Sequence, residues 1–393
     1  MKNKKKYIFI ITILLLCSII IYLLNENHDL KESSNNYENN KVTKRENMLS
    51  MMLETEANSG NYEMTTRDSW PTDGYVFNTE LSKCENGGEL SWDDENKRVL
   101  MSGNVSDKCY VYFDIKPQVL LADYIKSLYT GTQGENSIYY HDASLTNGAG
   151  DNSYRYAGAS DAVNNYVCFG STTPCPADNL YRIIGVFDNK VGENQTEQRV
   201  KLIKSAVVKN KAWDSNNKNT WSTSSLNTYL NNDFLNAFDE TTKGKIADTT
   251  WKVGGNTSAN IQNQPAKTAY QNEIVSPVTT NTTDGAAEYP AKVGLMYASD
   301  YGFAAAPSAW TAKLNTYDGE AIKNVNWMYI GGYEWTISRR ADCSDKAFFV
   351  LNVGFVLNSD VPGASDVRPV FSLTSSVSYV SGSGSATDPI SIN

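Results

Sequence analysis

Tyr181-Arg182-Ile183-Ile184-Gly185-Val186-Phe187 and, after a polar connection, Val200-Lys201-Leu202-Ile203-Lys204-Ser205-Ala206-Val207-Val208 decide the fold of the larger part of this chain. Both runs are short, apolar and rich in β-branched residues, the pattern of strands in a sheet. Val293–Met296, Lys346–Leu351 and Val367–Leu373 repeat it. Helical spacing shows in two earlier places. Leu120–Tyr129 gathers its apolar residues on one face. Past Ser224, a residue suited to capping, Leu226, Tyr229, Leu230, Phe234 and Phe238 form an apolar stripe. Helices are few and early, while the late half is strands and long loops. That order predicts an α+β domain over residues 119–393, its loops covering a small antiparallel sheet. No period of about 20–50 residues recurs, which argues against a solenoid or propeller.

The N-terminus carries a different message. Tyr7–Leu24 (YIFIITILLLCSIIIYLL) is unbroken and apolar, with Lys2, Lys4, Lys5 and Lys6 before it. At about 1.5 Å per residue the run reaches roughly 27 Å, close to the hydrocarbon thickness of about 30 Å. No small-residue cleavage site follows, and Cys17 lies within the run as a small hydrophobe. The expectation is an uncleaved transmembrane signal anchor at 7–24. Residues 1–6 are then cytoplasmic and the C-terminal bulk is extracellular at the cell membrane, single-pass. Residues 25–60, polar and mixed in charge, read as a stalk, with a short helix expected over Arg45–Ala57.

Composition excludes several functions. A net charge of −9 argues against nucleic acid as a partner. With only His28 and His141, a multi-histidine metal site and imidazole chemistry are poorly supplied. No metal ligands, cofactor or catalytic residues are expected. Outside the apolar run stand Cys84, Cys109, Cys168, Cys175 and Cys343. In an oxidising exterior, proximity in sequence suggests Cys84–Cys109 and Cys168–Cys175 disulfides, leaving Cys343 as an unpaired thiol.

Residues 61–116 read as a small β spacer module. Arg98–Gly103 and Cys109–Phe113 alternate in polarity, with Trp92–Lys97 holding a turn. A core this small gains from a Cys84–Cys109 staple. The run from Glu63 through Trp70-Pro71, Gly74-Tyr75 and Cys84-Glu85-Asn86-Gly87 to Asp114 resembles a spacer recurrent in Gram-positive surface proteins.

Further phrases extend the resemblance over most of residues 120–393. They include Tyr154-Arg155-Tyr156-Ala157-Gly158, Asn179–Phe187, Lys292–Gly302, Glu334–Arg339 and Val367–Leu373. Together they resemble the uncharacterised membrane-anchored surface proteins of Gram-positive gut-type bacteria. The order of Trp335–Arg339, Phe348–Val356 through Gly354, and Val367–Leu373 also resembles the C-type-lectin-like and formylglycine-generating-enzyme-like fold. The Glu-Pro-Asn and Trp-Asn-Asp signatures of calcium-dependent sugar binding are missing. So are the paired cysteines of the formylglycine-generating enzyme. The resemblance therefore implies a scaffold and no chemistry.

Candidate sites follow from side-chain type. Trp327–Trp335 is dense in aromatic residues around Gly331-Gly332. Core filling beside a Gly-Gly turn is the first reading, with Tyr329 and Tyr333 more exposed than Trp335. If the cluster binds a ligand, Tyr329, Tyr333 and Trp335, with Arg339 beyond, are the candidate residues. Arg339-Arg340 with Asp342 and Asp345 reads as a solvated charged loop beside Cys343. Arg368 in an apolar strand needs a carboxylate, Asp366 or Asp300. Glu334, Asp300 and Glu288 are available for a carboxylate pair. His141 stands at the edge of a Gly/Asn-rich loop, where Asp142, Asn147, Asp151 and Asn152 offer oxygens without EF-hand spacing. A plain solvated loop is expected there.

The functional expectation is a surface binding or adhesion module recognising a glycan or protein. The alternatives are a carboxylate-dependent cell-envelope hydrolase and a structural surface or assembly component.

Overall fold

The computed structural model describes residues 49–393 apart from 66–69, 72–73, 104–106, 173, 194 and 278–286. The anchor at 7–24, its cytoplasmic flank and most of the stalk lie outside the described residues. Among the described residues no helix is long and apolar enough to cross a membrane. The chain divides into two compact units after Pro117.

The first unit is a mixed sheet in the order β2-β1-β7-β3. Its strands are β1 (Leu49–Glu54), β2 (Tyr62–Met64), β3 (Tyr75–Phe77) and β7 (Cys109–Ile115), with β4 (Lys83–Cys84) also on β7. The hairpin β5 (Glu89–Asp93) with β6 (Arg98–Ser102) completes it. The helix expected over Arg45–Ala57, and with it a stalk reaching residue 60, is corrected here. Leu49–Leu53 pairs in parallel with Cys109–Phe113, so tertiary pairing overrides the local helical spacing. Glu54 reinforces the choice, because its buried carboxylate accepts the Ile115 N–H at 2.9 Å and the Gly60 N–H at 3.1 Å. Met51, Trp70, Phe77, Val111 and Phe113 form the core. Cys84 and Cys109 face each other across β4 and β7 and are joined by a disulfide.

The second unit is α+β and mostly sheet. Its strands begin with β8 (Val119–Leu120), β9 (Ile138–His141), β10 (Ser153–Tyr156), β11 (Tyr166–Cys168), β12 (Leu180–Lys190) and β13 (Thr196–Lys204). There follow β14 (Lys209–Ala212), β15 (Thr249–Lys252), β16 (Glu288–Ala291), β17 (Val293–Gly294), β18 (Glu334–Arg339) and β19 (Lys346–Val350). The last are β20 (Val356–Asp360), β21 (Ala364–Val367), β22 (Val370–Ser372), β23 (Ser378–Ser381) and β24 (Ser391–Ile392). An antiparallel sheet runs β17-β22-β13-β12-β10-β9, with β11 on β12. A second runs β14-β21-β18-β19-β20, and β8 pairs antiparallel with β23. The run expected over Val367–Leu373 is two strands, since Arg368-Pro369 interrupts it and proline lacks the ladder N–H.

Ser224 caps its helix through the Asn227 N–H at 3.1 Å. The helix is brief, Ser225–Thr228, and continues as a π-turn over Tyr229–Phe234. Helices also occur late, at Ala266–Tyr270, Ala298–Ala304 and Gly319–Lys323, contrary to the expected early clustering. Each is under two turns, too short for a legible 3.6-residue period. Trp213, Trp221, Trp251, Trp310, Trp327 and Trp335 are all buried. A disulfide joins Cys168 to Cys175, and Cys343 is unpaired and half-buried.

Candidate functional site

Pairing register builds the floor of a cleft. Arg155 on β10 lies opposite Gly185 on β12, Gly185 lies opposite Lys201 on β13, and Lys201 lies opposite Ser372 on β22. Directly opposite residues share a sheet face, so the row sets Arg155 and Lys201 on the same side of one glycine. A Cβ at Gly185 would come 2.2 Å from the Tyr154 carbonyl oxygen, so only glycine lets these strands close. Arg155, Lys201 and Ser372 line a cleft of about 750 Å³. Phe187, Trp251, Tyr270 and Tyr297 supply aromatic walls.

Arg155 is 2% exposed. Its Nη2 meets Asp151 Oδ2 at 2.6 Å and its Nε donates to Ser153 Oγ at 2.8 Å. Nη1 lies 3.7 Å from Asp300 Oδ1 and has no hydrogen-bond partner. The guanidinium also sits 4.7 Å from the Phe187 ring centroid and 4.8 Å from that of Phe303. Burial pushes the Asp151 carboxyl up, but the Arg155 charge with hydrogen bonds from Ser153 and Tyr270 outweighs it, holding Asp151 well below the usual carboxylate range.

Lys201 Nζ meets Asp300 Oδ2 at 2.5 Å inside three rings: Tyr297 at 4.8 Å, Phe187 at 5.4 Å and Trp251 at 6.0 Å. Burial lowers the lysine's proton affinity, against the pull of Asp300. Asp300 Oδ2 also accepts the Tyr297 N–H at 3.0 Å. Behind it Glu273 accepts the N–H groups of Ala298 at 3.1 Å and Ser299 at 2.9 Å, and the Ser338 hydroxyl. A carboxylate at those two N–H groups satisfies the start of helix Ala298–Ala304, and burial raises the Glu273 carboxyl.

Five basic and five acidic side chains line the cleft, so it carries no net charge to steer a polyanion or polycation. At the rim Lys252 pairs with Glu288, and Arg199 pairs with Glu197 at 3.1 Å.

The residues expected at the ligand site divide. Tyr333 is 48% exposed and stacks on Phe349 with centroids 6.1 Å apart. Tyr329 is half-buried and donates its hydroxyl to the Asn352 carbonyl at 2.6 Å. Trp335 and Arg339 are corrections: each is 1% exposed, inside β18. Trp335 Nε1 donates to the Lys211 carbonyl at 3.0 Å, and Arg339 Nε to that of Val253 at 2.7 Å. Both ends of this strand are buried, which the aromatic density of its sequence did not reveal.

Other expectations resolve similarly. The partner of Arg368 is Glu334, not Asp366 or Asp300. Glu334 is thereby removed from the carboxylate trio, while Asp300 and Glu288 both line the cleft. His141 is fully buried against Phe303 and Trp310 rather than in a solvated loop, and its Nδ1 accepts the Ala149 N–H at 3.0 Å. The four oxygens offered by the following loop do not converge. Asp142 accepts from Ser144 and Leu145, while Asp151 serves Arg155. The charged loop keeps its Arg340–Asp342 pair at 2.6 Å.

Arg155 and Lys201 were missed as site residues. Their signal was present, a cation inside an apolar strand in Tyr154-Arg155-Tyr156 and Val200-Lys201-Leu202.

A family model described as a domain of unknown function (DUF6273) matches residues 197–375. That span holds Lys201, Glu273 and Asp300 and omits Arg155. No curated protein and no solved structure matches the chain.

Proposed function

We propose that residues 118–393 form a recognition module whose cleft binds an uncharged, hydroxyl-rich ligand of the glycan class. The observation that carries it is the unpartnered Arg155 Nη1 within an aromatic-walled, charge-balanced cleft. A buried guanidinium donor without an acceptor favours a ligand oxygen, and ring faces suit the apolar faces of sugars. Charge balance favours a neutral ligand over a phosphorylated one.

The C-type-lectin-like reading of the scaffold draws support from β8 pairing with β23, which sets the two ends of the unit side by side. Display outside a membrane draws support from the apolar run at 7–24 and from two disulfides. The hydrolase reading draws on Asp300 and Glu288 lining one cleft. It stands second because Asp300 is already paired with Lys201 and lies beside Arg155.

A glycan array probed with the full chain tests the proposal. Neutral glycans should bind, and Phe187→Ala should abolish binding while Tyr333→Ala leaves it intact. Loss with Tyr333→Ala alone would move the site to the aromatic loop.

A further inference from the structure

We propose that Arg155 Nη1 and Asp300 Oδ1 together read a single hydroxyl group of the sugar, the first donating to its oxygen and the second accepting its proton. The pair thereby sets which hydroxyl of the ligand must be free. This deepens the recognition reading and rests on it.

Both side chains line the cleft, and each is tied at every polar atom but one. Arg155 gives its Nε to Ser153 and its Nη2 to Asp151, while Nη1 has no partner. Asp300 receives the Lys201 ammonium at 2.5 Å and the Tyr297 N–H at 3.0 Å, both on Oδ2. Among the described residues no hydrogen bond reaches Oδ1. The idle donor and the idle acceptor stand 3.7 Å apart, beyond hydrogen-bond length. Other ion pairs within the cleft lining, Lys201–Asp300, Arg155–Asp151 and Lys252–Glu288, are in direct contact.

An oxygen placed about 2.8 Å from each atom serves both. A hydroxyl is donor and acceptor in one atom, so it satisfies the pair. A carbonyl or ether oxygen accepts from Arg155 but turns its lone pairs toward Asp300. An ammonium donates to Asp300 but meets the guanidinium, and a carboxylate or phosphate is repelled by Asp300. Water has the same two capacities as a hydroxyl. A ligand group takes its place without loss only by reproducing both bonds.

Burial narrows the choice further. Arg155 is 2% exposed and Asp300 4%, so the group that reaches them projects from the sugar while its ring stays among the aromatic walls. The remaining bonds of both residues hold the two atoms in place before the ligand arrives, which lowers the ordering cost of binding.

Tryptophan-fluorescence titration of the full chain with methyl glycosides of glucose, galactose and mannose, and with their monodeoxy, monodeoxyfluoro and mono-O-methyl derivatives, tests this. For a parent glycoside that binds, one ring position should be intolerant. Its deoxy, fluoro and O-methyl forms should each bind about 10- to 100-fold more weakly, as loss of a charge-assisted hydrogen bond requires. The fluoro form keeps size and polarity but cannot donate, so its weakness reports Asp300. In Asp300→Asn the gap between hydroxyl and fluoro forms should shrink, whereas general loosening of the cleft would weaken both alike. Parent binding with every monodeoxy form within about threefold overturns the hydroxyl reading and leaves the recognition cleft standing. So does a gap unchanged in Asp300→Asn. Absence of binding by all three parents and all their derivatives overturns this proposal together with the recognition reading for these sugars. If Asp300→Asn does not fold, the derivative series on the wild-type chain decides alone.

Discussion

Arg368 lies across Glu334 with both side chains buried, Nε to Oε1 at 2.7 Å and Nη2 to Oε2 at 2.9 Å, while Nη2 also donates to the Met328 carbonyl at 2.7 Å. The two-pronged geometry pins the start of β18 to the Arg368-Pro369 break between β21 and β22. Removing one partner strands the other charge in the core. Glu334→Gln should therefore destabilise the second unit by about 3–5 kcal/mol. The double change Glu334→Leu with Arg368→Met should recover most of that. Urea denaturation of the variants checks both, and a Glu334→Gln chain as stable as wild type would contradict the lock.

Gly294 holds the Trp251 wall of the cleft. A Cβ there would lie 2.7–2.8 Å from three ring atoms of Trp251. Gly294→Ala should displace the indole and cost about 1–3 kcal/mol by overpacking. Near-ultraviolet circular dichroism should change with it, and an unchanged aromatic spectrum at wild-type stability would show that the ring is not so confined.

His141 makes stability depend on pH. Burial, aided by the Arg155 charge, holds its proton affinity well below the ordinary imidazole value. The folded chain therefore keeps His141 neutral while the unfolded chain takes up a proton below about pH 6.5. Stability contributed by the neutral imidazole is present above that value and is lost as pH falls, with a slope approaching about 1.4 kcal/mol per pH unit. Denaturation midpoints measured between about pH 5 and 7.5 should show this fall. His141→Phe should flatten it, and an equal slope in that variant would remove His141 as its source.

The two disulfides close loops of different length, with separations of 25 and 7 residues. On loop entropy alone, Cys84→Ala with Cys109→Ala should cost about 3.5 kcal/mol and the Cys168–Cys175 pair about 2.5. Thermal melts of each double variant measure the difference. A greater loss at Cys168–Cys175 would mean that its local loop does more than constrain the unfolded chain.

The strands around Tyr181–Phe187, Val200–Lys204 and Lys346–Val350 were legible because unbroken apolar runs leave few alternatives to a buried sheet. The disulfides were legible from the proximity of their cysteines in sequence. The Leu49–Glu54 strand was not, because its pairing with Cys109–Ile115 spans some sixty residues of sequence and its local spacing favours a helix. The cleft was obscured for a similar reason. Arg155, Gly185, Lys201 and Asp300 come from four separate segments, and only sheet register brings the first three into one row. The aromatic segment Trp327–Trp335 attracted attention by density alone, which cannot distinguish a stacking surface from the core that Trp327 and Trp335 occupy.

Titration of the full chain with a panel of neutral and charged oligosaccharides, followed by tryptophan fluorescence, puts the recognition cleft to its most direct test. A saturable change with a neutral sugar, lost in Phe187→Ala and retained in Tyr333→Ala, is the predicted result. Silence across the neutral sugars, or saturation confined to the charged ones, would contradict it.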